Sequence, residues 1–303
     1  MSEPLGYNKP LYLLPFDHRA SFSKVLLGIG DAVSEKDRIR VQGLKEIIYD
    51  AFKVAIASGI PKEHAAILVD EEYGEVILHD ARAHDFITCL TIEKSGQKVF
   101  AFEYEDYKSH VNKIKPTFVK ALVRYNPEGD KSINATQRER LKELSIFAHD
   151  EGYKFLIEPL VTPTGDQLYN MGDSRERYDT EMRPTLTIEM IKELQADGIE
   201  PDVWKIEGMQ NESDYIRVVR EARNKEERAR VGVIILGRGE DKKNVESWLT
   251  KGKKVDGVIG FAVGRTVFFD PLIKFKNGKI SREKAVEDIA TNYKYFYDLF
   301  VSR

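Results

Sequence analysis

The sequence predicts an α/β protein, a single (β/α)8 barrel, from three observations. Eight short apolar runs alternate with longer amphipathic segments along the whole chain. Each run is nearly continuous in apolar residues, as expected of parallel strands that are buried on both faces. No linker rich in Pro, Gly or Ser and no internal repeat divides the chain, so we expect one domain over residues 1–303, with residues 1–10 as an N-terminal extension.

The eight predicted strands follow one another at the spacing of a βα-repeat. They are Leu11–Phe16, Ala66–Asp70, Phe86–Ile92, Phe118–Tyr125, Lys154–Pro159, Val203–Glu207, Gly232–Leu236 and Val255–Phe261. An open doubly wound sheet has the same alternation, but a dinucleotide-binding sheet normally carries a glycine-rich fingerprint after its first strand. Here the first strand runs into Asp17-His18-Arg19, which favours the barrel.

Amphipathic periodicity predicts six helices between and after these strands. The clearest, Asp37–Ser58, is preceded by Ser34 as a capping residue and followed by Gly59 as a stop. The others are Thr136–Glu151, Thr185–Asp197, Ser213–Asn224, Asp241–Thr250 and Ser281–Val301. The segment 93–117 is the least regular part of the pattern, because a turn at Lys94–Gln97 precedes another short apolar run.

Composition excludes several classes of protein. The chain has 47 Lys and Arg against 50 Asp and Glu, a net charge of −3, whereas a constitutive nucleic-acid binder needs a basic excess. No apolar run approaches the roughly 20 residues of a membrane helix. The single cysteine, Cys89, and a polar, turn-rich beginning without a secretion signal predict a cytoplasmic protein.

Ionisable residues inside three apolar strands are the strongest functional feature. Lys120, Glu158 and Lys205 each interrupt a run of buried strand residues, and Asp17 ends the first strand. Any one of them alone is compatible with a salt-bridged barrel residue. Together they suit imine chemistry: a desolvated amine beside a second cation favours its neutral form, which attacks a ketone. We interpret Lys205 as the nucleophile, Lys120 as the neighbouring cation, Glu158 as the general acid/base and Asp17 as a second carboxylate.

A second motif lies at the ends of the last two strands. Strand seven is followed by Gly237-Arg238-Gly239, and strand eight runs on to Gly264-Arg265. In (β/α)8 barrels the loops after strands seven and eight commonly hold a phosphate, with glycines admitting backbone N–H groups and an arginine binding bidentately. A tight strand-to-helix turn is the simpler alternative. His18 and Arg19, at the end of strand one, are further candidates for substrate contacts.

Four motifs in this order carry a resemblance to a known family. They are Leu14-Pro15-Phe16-Asp17-His18-Arg19, Val119-Lys120-Ala121-Leu122-Val123, Trp204-Lys205-Ile206-Glu207 and Gly260-Phe261-Ala262-Val263-Gly264-Arg265-Thr266-Val267-Phe268. Over about residues 10–300 the chain resembles the aldolase-like domain that many bacteria fuse to a ribokinase-type sugar kinase in inositol catabolism. That domain is related to the class I aldolases of tagatose 1,6-bisphosphate and sulfofructose phosphate.

The resemblance implies a class I aldolase with Lys205 as the Schiff-base lysine. It also implies roles for Lys120, Glu158 and Asp17 in catalysis and for Arg265 in binding phosphate. The implied reaction cleaves 2-deoxy-5-keto-gluconate 6-phosphate to dihydroxyacetone phosphate and malonate semialdehyde. A tagatose or fructose 1,6-bisphosphate is a comparable substrate, because strand four ends differently here, in Arg124-Tyr125-Asn126-Pro127, and the chain carries no kinase domain.

Rival functions and the remaining residues complete the predictions. A non-catalytic barrel that binds a phosphosugar, or an isomerase that uses Glu158 without an imine, are the alternatives. We expect no cofactor and no metal, since His79 and His84 are poorly spaced for one helix face and are predicted to lie on an exposed loop.

Glu71, Glu72 and Tyr73 are predicted to form a solvated loop, and Cys89 is predicted to be an inert core residue. The stripe Tyr293, Phe296 and Phe300 predicts barrel packing or a contact in a homo-oligomer.

Overall fold

The computed structural model describes residues 4–29 and 33–302, and residues 1–3 of the predicted extension lie outside them. Eight parallel strands close into a barrel in sequence order, each paired with the next and the eighth with the first. They are β1 (Leu11–Pro15), β2 (Ala65–Asp70), β3 (Ile87–Thr91), β4 (Phe118–Arg124), β5 (Lys154–Leu160), β6 (Val203–Glu207), β7 (Gly232–Leu236) and β8 (Val258–Ala262). The predicted (β/α)8 fold is confirmed.

Helices connect the strands around the outside of the barrel. They are α1 (Ala20–Leu27), α2 (Glu35–Ala57), α3 (Glu71–Ala83), α4 (Tyr107–Ile114), α5 (Lys131–Asp150), α6 (Gly165–Asn170), α7 (Arg175–Arg177), α8 (Arg183–Ala196), α9 (Glu212–Ala222), α10 (Lys242–Gly252), α11 (Arg265–Lys276) and α12 (Arg282–Val301). A π-helical turn, Tyr178–Met182, joins α7 to α8. In the part of the chain described, no helix combines the length and apolarity that crossing a membrane requires.

The structure defines the irregular segment 93–117 and corrects the start of the eighth strand. The short apolar run that follows Lys94–Gln97 is not a barrel strand: it forms a single antiparallel bridge, between Glu93 and Phe102, and α4 follows it. Strand β8 begins at Val258 rather than Val255, because Gly257 adopts a positive φ of 95° in the turn before it.

The interior of the barrel is packed at its lower level and polar above. Ten buried residues from eight strands fill the lower layer: Leu11, Leu13, Ala66, Leu68, Cys89, Phe118, Leu156, Val203, Ile234 and Ala262. Strand residues two apart face the same side, so the next inward position on β4, β5 and β6 is Lys120, Glu158 and Lys205. The packed layer thus forms the floor beneath the ionisable residues.

The chain before β1 covers the opposite end of the barrel. The ring of Tyr7 packs edge-on against Phe118, with the ring centroids 5.1 Å apart. The backbone N–H of Gly6 donates to the buried Asp202 carboxylate at 2.8 Å. Between strands and helices lies a second, larger apolar core that includes Tyr293 and Phe296, both buried, so this stripe serves barrel packing.

Candidate active site

The carboxyl ends of the strands surround one cavity of about 180 Å³. All eleven residues that the sequence singles out line it: Asp17, His18, Arg19, Lys120, Glu158, Lys205, Gly237, Arg238, Gly239, Gly264 and Arg265. They lie on β4, β5 and β6 and in the segments that follow β1, β7 and β8. Because parallel strands in a barrel all point one way, residues far apart in sequence meet at this end.

Two lysines share one carboxylate at the floor of the cavity. Oε2 of Glu158 lies 2.8 Å from Nζ of Lys205 and 3.0 Å from Nζ of Lys120. The side chains of Lys120 and Lys205 are only 1% and 5% exposed, so both ion pairs are almost withdrawn from water. Low exposure makes each interaction stronger than a surface ion pair of the same length.

Lys120 lies at the centre of three carboxylates. Its Nζ is 3.0 Å from Asp17, 2.6 Å from Glu93 and 3.0 Å from Glu158. Burial by itself would lower the pKa of Lys120, but the attraction of these three carboxylates outweighs it, and the pKa lies well above its ordinary value. Lys120 is therefore a fixed cation at neutral pH.

The same cations act on the carboxylates in return. Burial opposes ionisation of Asp17 and Glu158, yet Lys120 and Lys205 together lower the pKa of both carboxyl groups. Both are carboxylates at neutral pH. An ionised Glu158 in contact with Lys205 is positioned to take a proton, either from that lysine or from a molecule bound beside it.

His18 borders this cluster as a neutral imidazole. Burial, opposed by Asp17 but reinforced by Arg265 and Lys205, lowers the pKa of His18 to about 4. Its Nδ1 is buried without a hydrogen-bond partner and lies 4.0 Å from the nearest Asp17 oxygen. A buried unpaired ring nitrogen is costly, so a bound hydroxyl or carbonyl is the partner that would satisfy it.

Glycine-rich backbone forms the wall opposite β4. Gly239 has a φ of 73°, and a Cβ there would lie 2.2 Å from Cζ of Arg265. A Cβ on Gly264 would lie 2.2 Å from the carbonyl oxygen of Pro15. Arg265 is the first residue of α11, exposed, and donates to the carbonyl oxygen of Arg238 at 2.5 Å. Backbone N–H groups at a helix start beside an arginine form a cradle for an anion.

The other two arginines predicted to bind substrate are held by protein groups. The guanidinium of Arg238 is 2.7 Å from Asp179 and 3.3 Å from Glu207. Arg19 pairs with Glu103 at 2.5 Å and donates to the carbonyl oxygen of Glu93. Both line the cavity as parts of its wall, and direct contact with a substrate stays a prediction for each.

Sequence reasoning missed Glu93, whose carboxylate makes the shortest of the Lys120 ion pairs. It follows Ile92 at the end of a buried run, as Asp17 follows Phe16. The irregular segment 93–117 obscured that position. The second carboxylate oxygen of Glu93 is buried without a hydrogen-bond partner, and Glu93 lines the cavity.

Of two predictions about α3 and its neighbourhood, one is wrong and the other holds only for His84. Glu71, Glu72 and Tyr73 form the first turn of α3, capped by Asp70, rather than a solvated loop, and Glu71 and Tyr73 are buried. His79 is exposed but lies within α3, and His84 follows the last residue of that helix. Across residues 4–29 and 33–302 no group of three or more His, Cys, Asp or Glu is arranged to hold a metal ion.

Comparison with known proteins gives a family and a fold. A family model described as "Uncharacterized protein conserved in bacteria (DUF2090)" matches residues 6–303. No curated protein sequence matches the chain.

Solved structures resemble the chain over nearly its whole length. A Schiff base-forming fructose-1,6-bisphosphate aldolase superposes with a TM-score of 0.58 at 13% identity, over 96% of this chain and 94% of the other. The fructose-bisphosphate aldolase of Plasmodium falciparum gives 0.68 at 10% identity, over 98% and 91%. A Corynebacterium glutamicum protein gives 0.57 at 16% identity, over 96% and 87%. At these identities the likeness establishes the barrel fold.

Proposed function

The chain belongs to the bacterial family DUF2090, and we propose that it is a class I aldolase. It cleaves a phosphorylated ketose, through an imine on Lys205, to dihydroxyacetone phosphate and an aldehyde. The observation that carries the proposal is the 2.8 Å contact between Lys205 and Glu158, beside the fixed cation Lys120, on the floor of the cavity. Binding alone would not require a buried amine, a carboxylate and a second ammonium group in contact.

The first half of the reaction forms the imine. Glu158 accepts a proton from the Lys205 ammonium, which leaves the neutral amine required for attack on the ketone carbon. The new C–N bond gives a carbinolamine, and loss of its hydroxyl as water, with a proton returned by an acid, gives the iminium. Lys120, 3.0 Å from the same Glu158 oxygen, holds that carboxylate in place beside Lys205.

The second half breaks the carbon–carbon bond. Glu158, ionised again, takes the proton from the hydroxyl on that carbon of the cleaved bond which lies farther from the iminium. The O–H electrons form the aldehyde carbonyl, the C–C bond breaks, and its electron pair moves into the iminium to give an enamine. Protonation of the enamine carbon and hydrolysis of the imine then release dihydroxyacetone phosphate and restore the Lys205 amine.

Asp17 and the glycine-rich wall position the substrate in this scheme. Asp17 lies 3.0 Å from Lys120 and accepts hydrogen bonds from substrate hydroxyls. The phosphate of the dihydroxyacetone half binds to backbone N–H groups at the start of α11 and to Arg265. The resemblance to the kinase-fused domains supports 2-deoxy-5-keto-gluconate 6-phosphate as the substrate, whereas the two neighbours called fructose-bisphosphate aldolases support a hexose bisphosphate.

The test is reduction of the imine with borohydride in the presence of dihydroxyacetone phosphate, followed by intact-mass measurement. We expect a covalent adduct in the wild type and in Lys279→Ala, which removes an exposed lysine, and none in Lys205→Ala. Peptide mapping identifies the modified lysine. A wild type that binds phosphosugar but forms no adduct would overturn the aldolase proposal in favour of a non-catalytic phosphosugar-binding barrel.

A further inference from the structure

Three cations of the cavity have no carboxylate at salt-bridge distance within residues 4–29 and 33–302. They are Lys94, Arg124 and Arg265. The other cavity cations, Arg19, Lys120, Lys205 and Arg238, each contact at least one carboxylate. Uncompensated positive charge that faces a cavity stabilises a bound anion, since no protein charge competes for it.

The three cations occupy two opposite walls. Arg265 follows β8, whereas Arg124 is the last residue of β4 and Lys94 follows β3. Because the eight strands close in sequence order, β4 and β8 lie four strands apart and face each other across the barrel. Lys205 and Glu158, on β6 and β5, lie on the floor between them. A molecule that reacts at Lys205 therefore meets one positive wall at each end.

Arg124 lines the cavity, and only part of its guanidinium is hydrogen-bonded to the protein. One of its terminal nitrogens donates to the carbonyl oxygen of Gln97 at 2.7 Å, and the amide of Gln97 donates to the carbonyl oxygen of Leu122 at 3.3 Å. The loop that carries Lys94 is thus tied to β4. Within the described part of the chain the remaining guanidinium N–H groups of Arg124 have no protein acceptor, so they are free to bind an anion.

The position of Arg124 along β4 fixes how far that anion lies from the reacting carbon. Lys120, Leu122 and Arg124 alternate onto the same face, and all three line the cavity. At about 3.3 Å per residue, the Cα atom of Arg124 lies about 13 Å further along the strand than that of Lys120, in the direction of the mouth. The guanidinium and the Lys94 ammonium therefore reach a group several bonds beyond the imine carbon, on the aldehyde half of the substrate.

We propose that Arg124 and Lys94 form a second anion site, which recognises a terminal phosphate or carboxylate on the aldehyde half. The inference rests on the proposed aldolase function and names its substrate class: a ketose with an anionic group at both ends. The dihydroxyacetone phosphate half binds at the β8 wall and the anionic end of the aldehyde binds at the β4 wall. A ketose monophosphate whose aldehyde half is neutral leaves the second site unfilled and is a poor substrate.

The test runs the reaction in the direction of condensation, with dihydroxyacetone phosphate as the constant donor. Three aldehydes are compared: glyceraldehyde 3-phosphate, malonate semialdehyde and neutral glyceraldehyde. In the wild type we expect kcat/KM for one of the anionic aldehydes to exceed that for glyceraldehyde by about tenfold or more, the size of one charge-assisted contact. Which of the two anionic aldehydes is preferred identifies the phosphate or the carboxylate as the natural group.

Matched substitutions then locate the site. Arg124→Gln and Lys94→Gln should each reduce the ratio of kcat/KM for the anionic aldehyde over glyceraldehyde by about tenfold. Lys98→Gln removes the same charge from the same loop at an exposed position outside the cavity lining and should preserve the ratio.

Borohydride trapping with dihydroxyacetone phosphate separates the two possible failures. If the imine forms but glyceraldehyde is used as well as the anionic aldehydes, or if the preference survives both substitutions, the second anion site is overturned alone. If the wild type forms no imine, the proposed function is overturned and this inference with it.

Discussion

Oε2 of Glu158 lies 2.8 Å from Nζ of Lys205 across the gap between β5 and β6. The two residues are the first inward-facing positions above the packed floor, and Leu156 and Val203 occupy the floor positions directly below them. The contact therefore follows from strand register. A one-residue slip of either strand would turn its ionisable residue out of the barrel.

Replacing Glu158 tests the assignment of the general base. Glu158→Gln keeps the size of the side chain but cannot accept a proton, so we expect kcat for cleavage to fall by about 10²–10⁴. The exposed substitution Glu189→Gln removes the same charge from α8 and should retain activity. Steady-state kinetics on the phosphoketose that proves active measures both. An unchanged kcat in Glu158→Gln would assign proton transfer to another group.

Replacing Lys120 should reverse the dependence of stability on pH. In the wild type the pKa of Asp17 and that of Glu158 are lowered, so the ionised groups contribute to the free energy of unfolding. That contribution is present above the ordinary carboxyl pKa and is lost as pH falls through the lowered values. In Lys120→Met, Asp17 loses its ion pair while Glu158 keeps its contact with Lys205. Burial would then raise the pKa of Asp17, and stability would be lost as pH rises through the raised value.

The size of that effect follows from leaving buried carboxylates without their cation. We expect the free energy of unfolding of Lys120→Met to fall by about 3–5 kcal/mol at about pH 8, and by less at about pH 5. Urea denaturation at both pH values measures the change, with Lys279→Met as the exposed control. An equal loss at both pH values would indicate a packing defect rather than unpaired charge.

His18 should make the protein sensitive to acid over a defined window. Its pKa is about 4 in the folded state against an ordinary value of 6.5, so the unfolded chain binds the extra proton between these values and stability falls as pH decreases through the window. The wild type should lose about 2–3 kcal/mol more than His18→Gln between about pH 7.5 and pH 4.5. Urea denaturation compares them, and the exposed His84→Gln should behave as the wild type.

The sequence was sufficient for the barrel because each strand is buried on both faces and reads as a continuous apolar run. The structure differs from the prediction at the start of β8, because that start depends on a left-handed Gly257, which hydropathy does not reveal. Helix α3 carries Tyr73, Ile77, Leu78 and Ala81 as its buried face, a helical spacing that was present but masked by the acidic Glu71 and Glu72 at its start.

The candidate site was predictable where a charged residue interrupts an apolar strand, as Lys120, Glu158 and Lys205 do. Glu93 was not recognised, since it begins an irregular loop and only the folded barrel brings it within 2.6 Å of Lys120. The ion pair between Arg238 and Asp179 could not be predicted from the sequence either, because Asp179 lies in a π-helical turn 59 residues away in the chain.

Arg265 should contribute mainly to recognition of the phosphate. Among the described residues its guanidinium makes one hydrogen bond, to the carbonyl oxygen of Arg238, and no ion pair, so its charge is available. Arg265→Gln should weaken binding of a phosphorylated ketose by about 1.5–3 kcal/mol and leave binding of the unphosphorylated ketose unchanged. Isothermal titration measures both, with Arg220→Gln as an exposed control. Equal weakening for the two ligands would contradict a phosphate contact at Arg265.

A pair of glycine substitutions separates backbone strain from the position of Arg265. Gly239 and Gly278 have similar left-handed φ values, 73° and 67°, so Ala at either imposes a similar backbone cost of about 1 kcal/mol. A Cβ on Gly278 has open space, whereas one on Gly239 lies 2.2 Å from Cζ of Arg265. Because that guanidinium ends a flexible side chain, it can move away at little cost in stability. Gly239→Ala should therefore lose affinity for phosphate while unfolding at the same urea concentration as Gly278→Ala, which should keep its affinity. Phosphate affinity equal in the two variants would place the anion away from the Gly239–Arg265 contact.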